Sequence, residues 1–132
     1  MKTLIDAALL VGVLTMYAGE FVGQPLYCDD GVGMVYADRL AFIALPVSEF
    51  ESGRAECGDR IRIYFSNGET IEAVALDAGP FKDLCVMYGA ECIKIIADIP
   101  MHLWSYHDEI SHRGKIVNLN MVKRAFEQFV EQ

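Results

Sequence analysis

Residues 59–81 read DRIRIYFSNGETIEAVALDAGPF. In the first part, Arg60, Arg62 and Tyr64 alternate with Ile61, Ile63 and Phe65, the period of a strand with one solvated and one buried face. Asn67-Gly68 follows, a pair that adopts the left-handed backbone of a tight hairpin turn at little cost. The run from Thr70 to Ala78 is then the returning strand, and Gly79-Pro80 ends it. An antiparallel hairpin at the centre of the chain is therefore expected, with one acid, Asp77, at the far end of its second strand.

The same grammar extends outward. ALLVGVLTMYAGE (8–20) reads as a first buried strand, RLAFIALP (39–46) as another that Pro46 terminates, ECIKIIADI (91–99) as a third ending near Asp98, and GKIVNLNMV (114–122) as a last alternating strand. Turn-rich GQPLYCDDGVGMVYAD (23–38) separates the first two. PMHLWSYHDEI (100–110) predicts a short helix, because proline is tolerated in a helix's first turn, and KRAFEQFVEQ (123–132) an amphipathic tail. Short strands between Gly, Pro, Asn and Asp clusters indicate an all-β barrel or sandwich of six or seven strands with one late helix. No repeat, linker or low-complexity segment interrupts the chain, so residues 1–132 are expected to form one domain.

Composition narrows the partners. With 53% hydrophobic residues in 132, the chain can enclose a core. Its 11 basic and 19 acidic residues give a formal charge of −8, which argues against nucleic acid and anionic membrane because phosphates would be repelled. The opening MKTLIDAALLVGVLTMYA superficially resembles a secretory leader, but Asp6 interrupts it. It also falls short of the roughly 20 apolar residues of a membrane span. A retained strand is the preferred reading. Cys28, Cys57, Cys85 and Cys92 contain no CxxC pair, so a structural zinc site has little support. Cys85 and Cys92 flank a Gly-containing loop and could bond across a hairpin, leaving Cys28 with Cys57; four reduced, buried thiols fit the sequence as well. His102, His107 and His112 recur every five residues, off any single helical face, so neither a metal nor a cofactor is implied, and Asp29-Asp30 beside Gly31 reads as a solvated turn.

The order of several short motifs carries a resemblance. Thr15-Met16-Tyr17-Ala18 stands where a Thr-aromatic-Tyr-Gly strand opens the family. Gly53, Cys57 and Gly58 match a Gly-x-x-Cys-Gly segment with one extra residue, and Asp77, Gly79, Pro80 and Phe81 match Asp-x-Gly-Pro-Phe. Ala97-Asp98-Ile99-Pro100 approximates an Ile-Asp-Leu-Ser segment that opens a helix, and Gly114-Lys115-Ile116 a final strand. In this order the chain resembles, over about residues 10–125, the double-psi β-barrel domains of rare lipoprotein A, expansins and barwin-like proteins, and the related three-aspartate domain of lytic transglycosylase A. The resemblance implies a six-stranded double-psi β-barrel with one or two short helices and a groove for cell-wall glycan. It implies Asp77 as catalytic acid/base, Asp98 as its partner and Thr15 as a groove hydroxyl. Tyr17, Tyr36 and Trp104, with Phe21 and Tyr27, are candidate platforms for sugar rings. The chain departs from the pattern at Ala78 and Gly79, where relatives carry an arginine or an aromatic, at Pro100, where they carry serine, and in the longer segment KDLCVMYGAEC (82–92).

The chemistry suits an acid in an apolar setting. Glycosidic cleavage needs a proton delivered to the leaving oxygen, and burial or a like-charged neighbour keeps a carboxyl protonated towards neutral pH. A lytic transglycosylase uses the sugar's own hydroxyl as nucleophile, so one placed acid suffices, unlike the two-carboxylate glycosidases. Plainer readings stand beside these: Asp77 as a turn former, Asp98 as a helix N-cap, Thr15 as an ordinary strand residue and the aromatics as packing. Three functions are thereby expected in order. The first is a peptidoglycan-active lytic transglycosylase. The second is a non-catalytic polysaccharide-binding or wall-loosening barrel. The third is a structural component of a phage virion or tail, working among partner proteins. All three place the chain in the cell envelope, outside the cell or on a virion.

Overall fold

The structure, a computed structural model, describes residues 9–17, 25–28, 41–81, 83–100, 103 and 112–130. Seven strands make one sheet: β1 (Leu10–Tyr17), β2 (Phe42–Pro46), β3 (Arg60–Phe65), β4 (Thr70–Gly79), β5 (Cys85–Tyr88), β6 (Glu91–Pro100) and β7 (Arg113–Asn118). Two helices accompany them, α1 (Val47–Glu51) and α2 (Leu119–Val130). The central hairpin is as expected: β3 and β4 pair antiparallel from Arg60↔Val74 to Tyr64↔Thr70. Gly68 at its turn takes φ 91°, where a side chain would be strained, and the Asn67 side chain accepts a 3.0 Å bond from the Glu69 N–H.

The strand order β1-β7-β3-β4-β2-β6 returns on itself, because β6 also pairs with β1, and β5 hangs on β6 outside the ring. Two of the pairings, β1–β6 and β2–β4, are parallel, and each carries one register shift: between Val13 and Leu14 in the first and between Ile43 and Ala44 in the second. Ile43, Leu45, Ile61, Ile63, Ile96, Ile99 and Ile116 fill the interior with essentially no exposure. A smaller cluster of Leu26, Phe42 and Leu76 lies apart from that core. The disulfide Cys28–Cys57 ties residues 25–28 to the loop before β3, and the bond from the Cys28 N–H to the Leu76 carbonyl (3.0 Å) ties them to β4 at this cluster. A second disulfide, Cys85–Cys92, bridges the β5–β6 hairpin, so the sulfurs are oxidised rather than free.

Two expectations change. Pro100 is the buried last residue of β6, so the chain is still strand where a helix was expected to begin, and Asp98 lies within the strand instead of capping a helix. The last strand is shorter than read, since Leu119–Val122 belong to α2. Asn118 makes the switch. Its side chain accepts the Met121 N–H at 2.9 Å, capping the helix, and donates to the Asp59 carboxylate at 2.7 Å and to the Arg54 carbonyl at 3.0 Å. Arg124, one turn into α2, clamps the same Asp59 with both guanidinium nitrogens, at 3.1 and 3.3 Å.

Candidate functional site

The two parallel pairings decide which side chains meet. Thr15 is in register with Asp98, Asp98 with Ala44, and Ala44 with Asp77. Residues in register on neighbouring strands share a face, so Thr15, Asp98, Ala44 and Asp77 form one row across β1, β6, β2 and β4. The flanking Leu14, Ile43 and Leu45 belong to the core, which places the row on the opposite face. Ala44 is 1% exposed and lies between the carboxylates, with a side chain too small to separate them.

Asp98 is the electrostatic centre. Burial, first, and the charge of Asp77 push its carboxyl up to about 6, while hydrogen bonds from the Thr15 hydroxyl and the Ile99 N–H pull the other way. The Thr15 Oγ1 lies 3.3 Å from the Ala97 carbonyl as well, so its single hydrogen serves two acceptors. Asp98 Oδ1 is enclosed with no hydrogen-bond partner. A buried polar atom left in that state costs on the order of 1–3 kcal/mol, which is tolerated most readily by a carboxyl that keeps its proton.

Asp77 is half-buried and sits within β4, three residues before Pro80. Its Oδ1 accepts the Tyr27 N–H at 2.8 Å, so its carboxylate fastens a segment 50 residues away. Tyr27 in turn packs against Phe50 with ring centroids 5.0 Å apart. Just beyond, a side chain on Gly79 would run into the Phe81 ring. The Phe81 ring therefore takes the space that a larger residue at position 79 would need.

Of the residues expected in the groove, Thr15, Asp77 and Asp98 are brought together. Tyr17 closes β1 opposite Pro100. Tyr36 and Trp104, with Phe21, Asp29, Asp30, His102 and His107, lie outside the described residues. Sequence reasoning missed Ala44 and the Tyr27 N–H. Ala44 had one legible signal, as a small residue among the larger ones of Phe42–Pro46; the backbone donor had none. Among the described residues no group of three or more His, Cys, Asp or Glu could hold a metal ion, and no helix is long and apolar enough to cross a membrane. No protein-family model matches the chain, and no curated protein matches it.

Proposed function

We propose that the ring of six strands is a double-psi β-barrel and that the row Thr15–Asp98–Ala44–Asp77 is the acid centre of a lytic transglycosylase-like protein acting on peptidoglycan. One observation carries the reading: Ala44 is in register with Asp77 through the parallel β2–β4 pairing and with Asp98 through the antiparallel β2–β6 pairing, and the Asp98 carboxyl is pushed up to about 6. The Asp98 carboxyl thereby keeps its proton towards neutral pH. In this arrangement Asp98 stores the proton and the more exposed Asp77 presents it to the leaving oxygen, with Thr15 orienting Asp98. The resemblance gave Asp77 as the acid/base and Asp98 as its partner; the raised pKa of Asp98 supports a proton held on the partner. Departure of the leaving sugar is completed by intramolecular attack of the substrate's own hydroxyl, which requires no second nucleophile. Two disulfides fit an oxidising location such as the cell envelope, the exterior or a virion.

The test is digestion of purified peptidoglycan with separation of the products. Wild type should release anhydro-muropeptides, and Asp77→Asn and Asp98→Asn should each abolish release while keeping the wild-type circular dichroism spectrum. Release that persists in both variants overturns the assignment. A binding-only reading draws on the Tyr27 N–H bond, which gives Asp77 a structural task independent of any proton. Wild type that retains glycan strands yet yields no product supports that alternative.

A further inference from the structure

A cleft of about 460 Å³ opens far from the acid row, at the start of β1, β6 and β7 and the end of β3. Its centre is a second cross-strand row, Val11–Lys115–Tyr64, running over β1, β7 and β3. Phe65 and Ile93 add apolar lining, and Arg113 and Glu91 complete the polar part.

The charges in this cleft are unusual for the molecule. Arg54, Arg60, Arg62 and Arg124 each hold a carboxylate. Arg113 and Lys115 instead lie over tyrosine rings, with Arg113 Cζ 5.3 Å from the centroid of Tyr88 and Lys115 Nζ 5.4 Å from that of Tyr64. Among the described residues neither has an ion-pair partner, and neither does Glu91. Ring faces hold the cations in position without neutralising them, so the guanidinium keeps its planar fork available for a carboxylate. In a chain of net charge −8, two such cations two residues apart on one strand make a local reversal of sign. The volume lies within the range of small-ligand sites, roughly 300–1,000 Å³, and exceeds what a lone carboxylate would occupy.

We propose that this cleft binds a short peptide by its free C-terminal carboxylate. Arg113 and Lys115 take the carboxylate, Val11 and Ile93 face the peptide's apolar part, and Glu91 receives its ammonium group. The inference is independent of the glycan reading, since it uses none of the row's residues.

The probe is the tripeptide Ala-Ala-Ala, titrated into the ¹⁵N-labelled protein with amide shifts followed by NMR. Free tripeptide should shift the amides of Val11, Ile93, Arg113 and Lys115, and should leave those of Thr15 and Asp98 in place. Loss of a charged hydrogen bond costs about tenfold or more in affinity, so the C-terminal amide should bind wild type at least tenfold more weakly. Arg113→Gln with Lys115→Gln should produce the same loss for the free peptide. The N-acetylated peptide should weaken in wild type but lose nothing further in Glu91→Gln. Because the amide comparison uses wild type, failure of a variant to fold leaves the proposal testable. An amide that binds as well as the free acid, or a free acid that moves none of these resonances, overturns it.

Discussion

Asp59 and Asp98 are both largely enclosed carboxylates, yet their surroundings drive them in opposite directions. For Asp59 burial alone would raise the pKa, but Arg124, Asn118 and the Glu56 N–H outweigh it and hold the group below the usual carboxylate range. For Asp98 burial prevails and a second acid adds to it, giving about 6. Asp59 ties helix α2 to the sheet through Arg124 and through Asn118, the residue that caps the helix. Asp98 has an oxygen with none. The difference separates a carboxylate used as a fastening from one kept as a proton store, and the partners mark it: a cation and two N–H donors at Asp59, a second acid at Asp98.

The comparison can be broken at either end. The largest effect is expected at Asp98: under the proposed function Asp98→Asn removes activity, and wild-type turnover should fall as pH rises through about 6, where Asp98 loses its proton. Stability carries the same sign. Because the folded state binds the Asp98 proton more tightly than the unfolded chain, its contribution is full below about pH 4 and is lost as pH rises through about 6, a difference on the order of 3 kcal/mol. Urea titrations across that window should show a descending component in wild type that is missing from Asp98→Asn.

Asp59 should behave oppositely. Its contribution is present above the ordinary carboxylate pKa and is lost as pH falls through its lowered folded value. Asp59→Asn should destabilise the fold by about 2 kcal/mol, less than the loss of a fully buried pair because Arg124 is 39% exposed. Chemical denaturation at pH 7 measures it, and an unchanged midpoint would remove Asp59 from the account of α2.

Smaller effects concern the neighbours of Asp98. Asp77→Asn removes a like charge and should lower the Asp98 pKa, whereas Thr15→Val removes a hydrogen bond and should raise it. Carboxyl-carbon NMR titration reads both. Movement in the same direction would mean that the Asp77 charge and the Thr15 hydroxyl do not act on Asp98 as described.

Local structure was largely legible in the sequence. The Asn67-Gly68 turn placed β3 and β4, Pro46 ended β2, and the short run ECIKIIADI marked β6, because each signal lies within a few residues of its effect. The end of β7 was missed because Lys115–Val117 and Leu119–Val122 read as one alternating run. Asn118 caps the helix locally at Met121, but its side chain is held for that task by Asp59 and Arg54, distant in sequence. The meeting of Asp77 and Asp98 depends on one parallel register, which carries a shift, and one antiparallel register that both pass through Ala44, and no local pattern encodes register between strands so far apart. Resemblance supplied the candidates; the space at Ala44 that lets them meet came only with the pairing.

The short strand β5 has a consequence of its own. Among the described residues each strand of the ring has strand partners on two sides, whereas β5 has β6 alone as a strand partner and forms the edge of the sheet. Open edges invite pairing with another chain. Here the edge is four residues long and its first cysteine is bonded back into the hairpin, which leaves little length for an incoming strand. Reduction of Cys85–Cys92 would free that hairpin, making this edge the place where self-association of the protein would begin.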